Sequence, residues 1–446
     1  MRIRVQLLGV ARRVMPVVLV LAWLASLAPA AAQSDKVDPR EVLLAWNYMV
    51  LQLTRHTPTY TPPVASRTYV YLGVTAYEAV ASGSANLQSL AGQLRGLTPA
   101  APRDAGATYD EGIVLEAAMS AVIKKMFENT GPTGQRAYDA LRGKLEEKTE
   151  LGVAPDVVAR SKAYGASVAA HILDWAQNDG GATVVNMGFP PDYKLIPGPA
   201  HWVPTNAIVQ QQTPLLPEWG NNRTFAIPSG KECAPPPAIA YSEDPSSDFY
   251  KEAKEVYDTK NSLTPDQAAI GRFWSDDPML SWTPPGHWMW ILTQVLKRDS
   301  VPLEASVDIL ARVSVAEADS FIGCWDTKYE YDLVRPLTYI RRVIDPKWET
   351  LINTPPFPEY TSGHSVASAA AATVLTAFFG ENFAFDDDTG SPDGLKPRKF
   401  TSFWEAANQA GISRLYGGIH FRAAIVHGLE QGRCIGAYAV ALKTKR

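Results

Sequence analysis

The feature that most constrains the fold is a recurring helical period. Over residues 40–55, 67–81, 111–127, 134–148 and 156–178, apolar side chains return at three- and four-residue spacing. That spacing lines one face of an α-helix, which turns once in about 3.6 residues. Thr57-Pro58, Thr98-Pro99 and Gly131-Pro132 punctuate the runs, because proline removes a backbone donor and glycine frees the chain to turn. The period resumes over 248–274, 286–296, 301–331, 365–379, 400–416 and 421–442. No β-type alternation reaches comparable length. The expected fold is all-α, with packed helical bundles that each bury an apolar stripe. A chain of 446 residues, 46% hydrophobic, can bury a large core, so residues 33–446 can form a single domain.

Residues 1–32 read as a signal peptide. Arg2, Arg4, Arg12 and Arg13 form a basic start, residues 14–27 an apolar core, and Ala30-Ala31-Ala32 a small-residue cleavage site. An uncleaved anchor is the competing reading, but the apolar run is short of the ~20 residues a span requires. Arg12-Arg13 leaves both the general and the twin-arginine export routes open. No later segment is long and apolar enough to span, so an exported protein, periplasmic or secreted, is expected. The net charge of −4 favours neither nucleic acid nor an anionic membrane as partner. Three cysteines, Cys233, Cys324 and Cys434, permit at most one internal disulfide, and Cys324 reads as a small buried residue. Residues 188–237 are Pro-rich and aromatic, which suits an ordered loop over the body, at a pocket rim or a contact between two copies.

The chemistry concentrates near the C-terminus, in Lys328-x6-Arg335-Pro336, Tyr360-Thr361-Ser362-Gly363-His364 and Ser413-Arg414-x5-His420. Lys328 and Arg335 lie seven apart, so one helix is expected to carry both on a face, with Pro336 ending or bending it. Ser362-Gly363-His364 precedes the apolar run 365–379, which Gly380 closes. Backbone N–H groups at a helix start bind anions, and glycine allows close approach. Arg414 and His420 would point apart on a straight helix, but Gly417-Gly418 between them permits a turn toward one site. Three cations, a helix start and two histidines suit a buried tetrahedral oxyanion. The acidic loop 385–390 lacks the spacing of a calcium loop and reads as solvated charge.

These three motifs resemble the signature of the vanadium-dependent haloperoxidases and the type-2 phosphatidic acid phosphatase superfamily. The resemblance is to the bacterial, iodoperoxidase-like members. It extends through Cys324-Trp325-Asp326-Thr327-Lys328, Arg335-Pro336-Leu337-Thr338-Tyr339-Ile340 and Thr354-Pro355-Pro356-Phe357-Pro358-Glu359-Tyr360, and is strongest over about residues 270–440. Thr361 stands where that signature has proline, and Ala424 where it has aspartate.

The resemblance implies helical bundles holding a vanadate, with phosphate able to occupy the same site. His420 would bond vanadium, while Lys328, Arg335, Arg414, the Ser362 hydroxyl and the Gly363 N–H would bind the oxygens. His364 would be the acid–base group and Lys328 would polarise peroxide. Trp325 and Phe357 match the halide side of the pocket. Asp277, or its neighbour Asp276, would support the site from upstream, whereas His287 reads as structural. Hydrogen peroxide, halide and small organic acceptors would be the partners, with iodide or bromide the expected halide and a homo-oligomer left open. The alternative is an exported soluble acid phosphatase with His420 as nucleophile and His364 protonating the leaving group. In that mechanism the third-motif aspartate holds the tautomer of the histidine, so Ala424 weighs against it.

Overall fold

The computed structural model describes residues 36–184, 186–206 and 211–446, so the signal peptide expected over 1–32 lies outside the described residues. The first five helices are α1 (Pro39–Arg55), α2 (Pro62–Ala81), α3 (Glu111–Met126), α4 (Pro132–Glu150) and α5 (Pro155–Gln177). All but α3 open with proline in the first turn, where the missing N–H has no helical partner to lose. Asp110 starts α3 by accepting from the Ile113 N–H at 3.1 Å.

The remaining helices are α6 (Asp248–Asn261), α7 (Pro265–Phe273), α8 (Thr283–Arg298), α9 (Leu303–Tyr331), α10 (Pro336–Val343), α11 (Gly363–Phe379), α12 (Phe403–Gly417) and α13 (Arg422–Val440). Strands β1 (Phe385–Asp387) and β2 (Arg398–Phe400) pair antiparallel between α11 and α12, with Phe385 opposite Phe400. Helix α9 has 29 residues, about 44 Å of helix. It packs on α2 and α8 in the first bundle and on α11 and α13 in the second, joining the two. The α11–α13 contact is close because Gly432 has no side chain: a Cβ there would lie 2.1 Å from the Val366 carbonyl oxygen.

The all-α expectation holds, with two boundaries redrawn and one shared helix face lost. The run 248–274 is two helices, since Pro265 opens α7 and Thr264 and Gln267 form a capping box across the break. Phe400 belongs to β2, and the acidic loop beside it is not simply solvated charge. Asp387 is buried, and Asp388 accepts from Trp290 Nε1 at 2.8 Å. Finally, α9 stops at Tyr331 with Asp332 in a left-handed conformation (φ 44°), and Pro336 starts α10 rather than ending a helix. Lys328 and Arg335 therefore do not share a helix face.

The described part of the Pro-rich stretch wraps the lower end of α9. The Trp202 N–H donates to Asp332 O at 2.8 Å, and the Leu215 N–H to Pro356 O at 2.9 Å. Its far end is tied to α13 by the Cys233–Cys434 disulfide. Cys324 is free and buried within α9.

Candidate oxyanion site

Four segments converge below α11: the end of α9, the residues before α10, the turn 357–364, and the α12–α13 connection. Gly418 adopts φ 79°, a conformation glycine takes without strain, and reverses the chain after α12. Arg414 and His420 are thereby brought to one place, as the sequence suggests. Lys328, Arg335, Ser362, Arg414 and His420 are all buried.

Each cation is held by backbone carbonyls. Arg335 donates from Nε to Phe357 O at 2.8 Å and from Nη1 to Ile419 O at 3.0 Å. Arg414 Nη1 donates to Trp274 O. Lys328 Nζ donates to the carbonyls of Pro358, Glu359 and Thr361 at 2.8, 2.9 and 2.5 Å. In this conformation Lys328 thus spends its three hydrogens stapling the 358–361 turn, in place of the oxyanion contact expected of it. Burial pushes its pKa down to about 7, and those of Arg335 and Arg414 down to about 10. Arg335 Nη2 and Arg414 Nε are buried without a hydrogen-bond partner. Such donors are costly unless something accepts from them, and an oxyanion would.

His420 sits between Arg335 and Glu359. Arg335 Nη1 lies 3.2 Å from His420 Nε2, and His420 Nδ1 lies 2.9 Å from Glu359 Oε1. A guanidinium can only donate, so Nε2 carries the lone pair and Nδ1 the hydrogen. The same Glu359 oxygen accepts from the Phe421 N–H at 2.9 Å. Burial, then the charges of Arg335 and Lys328, hold the His420 pKa well below its ordinary value, leaving the ring neutral. Burial lifts Glu359 to about 7 against those same cations. The acid that the sequence lacks at Ala424 is therefore supplied by Glu359 from the opposite side. The weight that Ala424 carries against a histidine of fixed tautomer is thereby removed. Glu359 was legible only as the residue before Tyr360, and proximity to a motif was its one signal.

Ser362 caps α11, its hydroxyl accepting from the Ser365 N–H at 3.3 Å while its own N–H donates to Ala424 O at 3.0 Å. The Gly363 N–H stands in the first turn of α11, where helical partners are lacking. Thr361, standing where the signature has proline, is tied to α13 and through it to α9. Its hydroxyl donates to Gln431 Oε1 at 2.7 Å, and Gln431 in turn donates to Gly323 O and Thr327 Oγ1 on α9. Trp325 and Phe357 meet with ring centroids 4.9 Å apart, and Arg335 and Lys328 lie over the Phe357 ring at 4.9 and 5.2 Å. A Cβ at Gly363 would be 4.0 Å from the Trp325 ring. The aromatic pair thus borders both the cations and the helix start.

His364 Nε2 lies 3.3 Å from Arg414 Nη1 and 3.3 Å from Asp276 Oδ2. With a lone pair Nε2 accepts from Arg414, and with a hydrogen it faces Asp276. Burial and then the Arg414 charge depress its pKa to about 4, against the pull of Asp276. Of the two adjacent acids, it is Asp276 that contacts His364, while both act on the Arg414 charge. Both acids line a cleft of about 270 Å³ with Ser275, Leu280 and Thr389. Sequence spacing could not separate two adjacent acids; the left-handed φ of 51° at Asp276 is what turns it inward.

Residues 308–446 match the family model of the VCPO second helical-bundle domain. Vanadium chloroperoxidase of Curvularia inaequalis is 25% identical over 486 residues, an alignment spanning 85% of this chain and 78% of the relative. The crystal structure of a bacterial vanadium-dependent iodoperoxidase superposes with a TM-score of 0.82 at 40% identity, covering 91% of this chain and 96% of its own. The holo form of a bacterial vanadium-dependent chloroperoxidase shares the fold, with a TM-score of 0.66 at 15% identity over 87% of this chain and 93% of its own. Two-fifths identity across nearly the full length of both chains, on one helical frame, makes this chain a member of the vanadium-dependent haloperoxidase family.

Proposed function

We propose that this enzyme oxidises iodide and bromide with hydrogen peroxide to hypohalous acid, using vanadate held by Arg335, Arg414, Ser362, the Gly363 N–H and His420. The observation that carries the reading is the pair of partnerless buried donors, Arg335 Nη2 and Arg414 Nε, beside a His420 Nε2 lone pair. The residues fit a tetrahedral oxyanion that also accepts a nitrogen ligand. When bound, vanadate would act as a Lewis acid that makes peroxide electrophilic toward halide.

The chain's own residues divide the remaining work. Arg335 and Arg414, both buried, neutralise oxygen charge with fixed donors. Glu359 keeps the His420 Nδ1 hydrogen in place and so presents Nε2. Lys328 adds positive charge under the Phe357 ring and fixes the turn that carries Ser362. His364 takes and returns a proton at Nε2, between Arg414 and Asp276. Trp325 and Phe357 offer a polarisable wall for halide, and the iodoperoxidase relative supports iodide among the halides. The Cys233–Cys434 disulfide supports an exported location, in an oxidising compartment. Among the described residues no helix is long and apolar enough to cross a membrane.

The phosphatase alternative gains from Glu359, since a histidine with a fixed tautomer also suits a nucleophile. One experiment separates the two. Metal-stripped protein is assayed for iodide, bromide and chloride oxidation by peroxide with and without orthovanadate, and in parallel for p-nitrophenyl phosphate hydrolysis. Vanadate-dependent oxidation with iodide and bromide ahead of chloride is expected. Phosphate-ester hydrolysis inhibited by vanadate, without halide oxidation, would overturn the proposal.

A further inference from the structure

Behind the cradle lies a second buried charge cluster, centred on His287 in α8. Its side chain is 1% exposed, with Nδ1 2.9 Å from Asp276 Oδ1 and Nε2 2.8 Å from Asp387 Oδ2. The ring stacks on Trp274 at 4.2 Å between centroids, and Phe273 meets it edge-on. An ionised carboxylate only accepts, so two carboxylates, one at each nitrogen, call for a ring with two N–H groups. That ring is the imidazolium. One cation between two buried anions offsets one of their charges, where a neutral ring would leave both unopposed. Asp387 is fixed in turn by Thr389, whose N–H donates to Oδ1 at 3.0 Å and whose hydroxyl donates to the same oxygen. The other oxygen of Asp276, Oδ2, is the one beside His364 Nε2.

The charged neighbours come from five segments. The loop before α8 brings Asp276 and, one residue on, Asp277. Strand β1 brings Asp387, while the adjoining Asp388 is occupied by Trp290 and Gln294. Helix α11 brings His364, and α12 brings Arg414. Arg398 of β2 lies over the Phe273 ring and pairs with Asp266.

We propose that His287 and Asp387 are positioning residues: an imidazolium clamped between Asp387 and Asp276 keeps Asp276 ionised and aimed at His364. His364 then exchanges its proton against a fixed acceptor. The inference rests on the reading of His364 as the proton-transfer group. Burial opposes the charge on His287, yet the two carboxylates hold its pKa up at about 10.

Asp387→Asn is the discriminating change. The asparagine oxygen can still accept from Thr389 and its amide can donate to His287 Nε2, so shape and hydrogen bonds persist while one negative charge is lost. His287 then needs a single hydrogen, on Nδ1 toward Asp276. Ring-nitrogen NMR of histidine-labelled, vanadate-free full-length protein reads this directly. In the wild type His287 should keep both N–H groups at pH 8, and in the variant it should have one. The pH profile of turnover, read on whichever reaction the wild type performs, should move to higher pH by about one unit, because the nearer positive charge beside His364 is gone. Vanadate affinity should stay within about twofold, since none of these residues belongs to the cradle. A wild-type His287 with one N–H at pH 7 would overturn the proposal even if the variant failed to fold. An unmoved pH profile in a folded variant would reduce the cluster to a structural one. Absence of halide oxidation by the wild type would instead count against the proposed reaction, leaving the His287 measurement to decide the cluster.

Discussion

Glu359→Gln tests how the cradle treats its histidine. Glu359 Oε1 accepts from His420 Nδ1 and from the Phe421 N–H, each at 2.9 Å. Glutamine has the same shape, and its oxygen can accept both hydrogens, so the fold should survive with a loss of about 1 kcal/mol as charge-assisted bonds become neutral ones. Two opposite effects then act on ligands. Removing a carboxylate leaves Lys328, Arg335 and Arg414 less opposed, which favours any anion. Removing the charged partner of Nδ1 makes His420 a poorer and less firmly oriented nitrogen ligand. For metal-bound histidines, losing such a partner costs about 10–100-fold in affinity, or about 1.4–2.8 kcal/mol. Phosphate should need only the cations, whereas vanadate should also need the Nε2 lone pair. The expected result is that the variant binds phosphate as well as the wild type or better, while the vanadate dissociation constant rises by about 10–100-fold. Calorimetric titration of both anions into metal-stripped protein, at pH 6 and pH 8, supplies the ratio. Because burial lifts Glu359 to about 7, the gain for phosphate should be larger at pH 8, where the wild-type carboxyl is ionised. If both anions tighten equally, Glu359 acts only as a charge and the tautomer argument is wrong.

Three further outcomes are expected. His420→Ala should abolish vanadate-dependent halide oxidation while circular dichroism stays helical; undiminished turnover would remove His420 from the site. Glu116 is buried in α3, and desolvation raises its pKa to about 7 from 4.5. Ionising it therefore costs the folded state nothing below pH 4.5, progressively more up to 7, and about 3 kcal/mol above that. Glu116→Gln should accordingly raise stability at pH 8 by about 1–3 kcal/mol and leave it nearly unchanged at pH 4; equal urea midpoints at pH 8 would contradict the shift. Replacing Cys233 and Cys434 by serine opens a loop closed across 201 residues and should cost about 3–5 kcal/mol in chemical denaturation. A loss under 1 kcal/mol, roughly that of one ordinary hydrogen bond, would show that the chain entropy argument fails here.

Most of the helices and the cradle cations were legible because both rest on local signals: periodicity for the helices, though it missed the short α10 and the break at Pro265, and residue type at fixed spacing for Arg335, Arg414, Ser362 and His420. What escaped was decided by backbone reversals. Lys328 and Arg335 fit one helix face by spacing, yet the left-handed Asp332 ends α9 between them, and their convergence is tertiary. Asp276 and Asp277 are indistinguishable in sequence, and a positive φ at the first chooses between them. Glu359 and Asp387 act on histidines 61 and 100 residues away. No local pattern reports such pairings. Buried acids in an otherwise polar-looking loop, such as 385–390, are read as solvated for the same reason.

The choice of carbonyls rather than carboxylates as partners for the arginines explains how the site can be both folded and receptive. Had a carboxylate paired with Arg335 or Arg414, the guanidinium fork would be filled and its charge cancelled, and an incoming oxyanion would have to break that pair first. Carbonyls hold the same groups in place with partial charges only. Phe357 O and Ile419 O orient Arg335, and Trp274 O orients Arg414, while one donor on each stays uncommitted. The folded protein bears the cost as lowered pKa values at all three cations, a strain that a bound anion relieves. Stability and ligand binding are then coupled through the same charges. The donors require no rearrangement on binding, which is the condition under which fixed dipoles and cations serve chemistry best. Arg335, Arg414 and the His420 Nε2 lone pair would thus hold a vanadate in place without an ion pair having to break first.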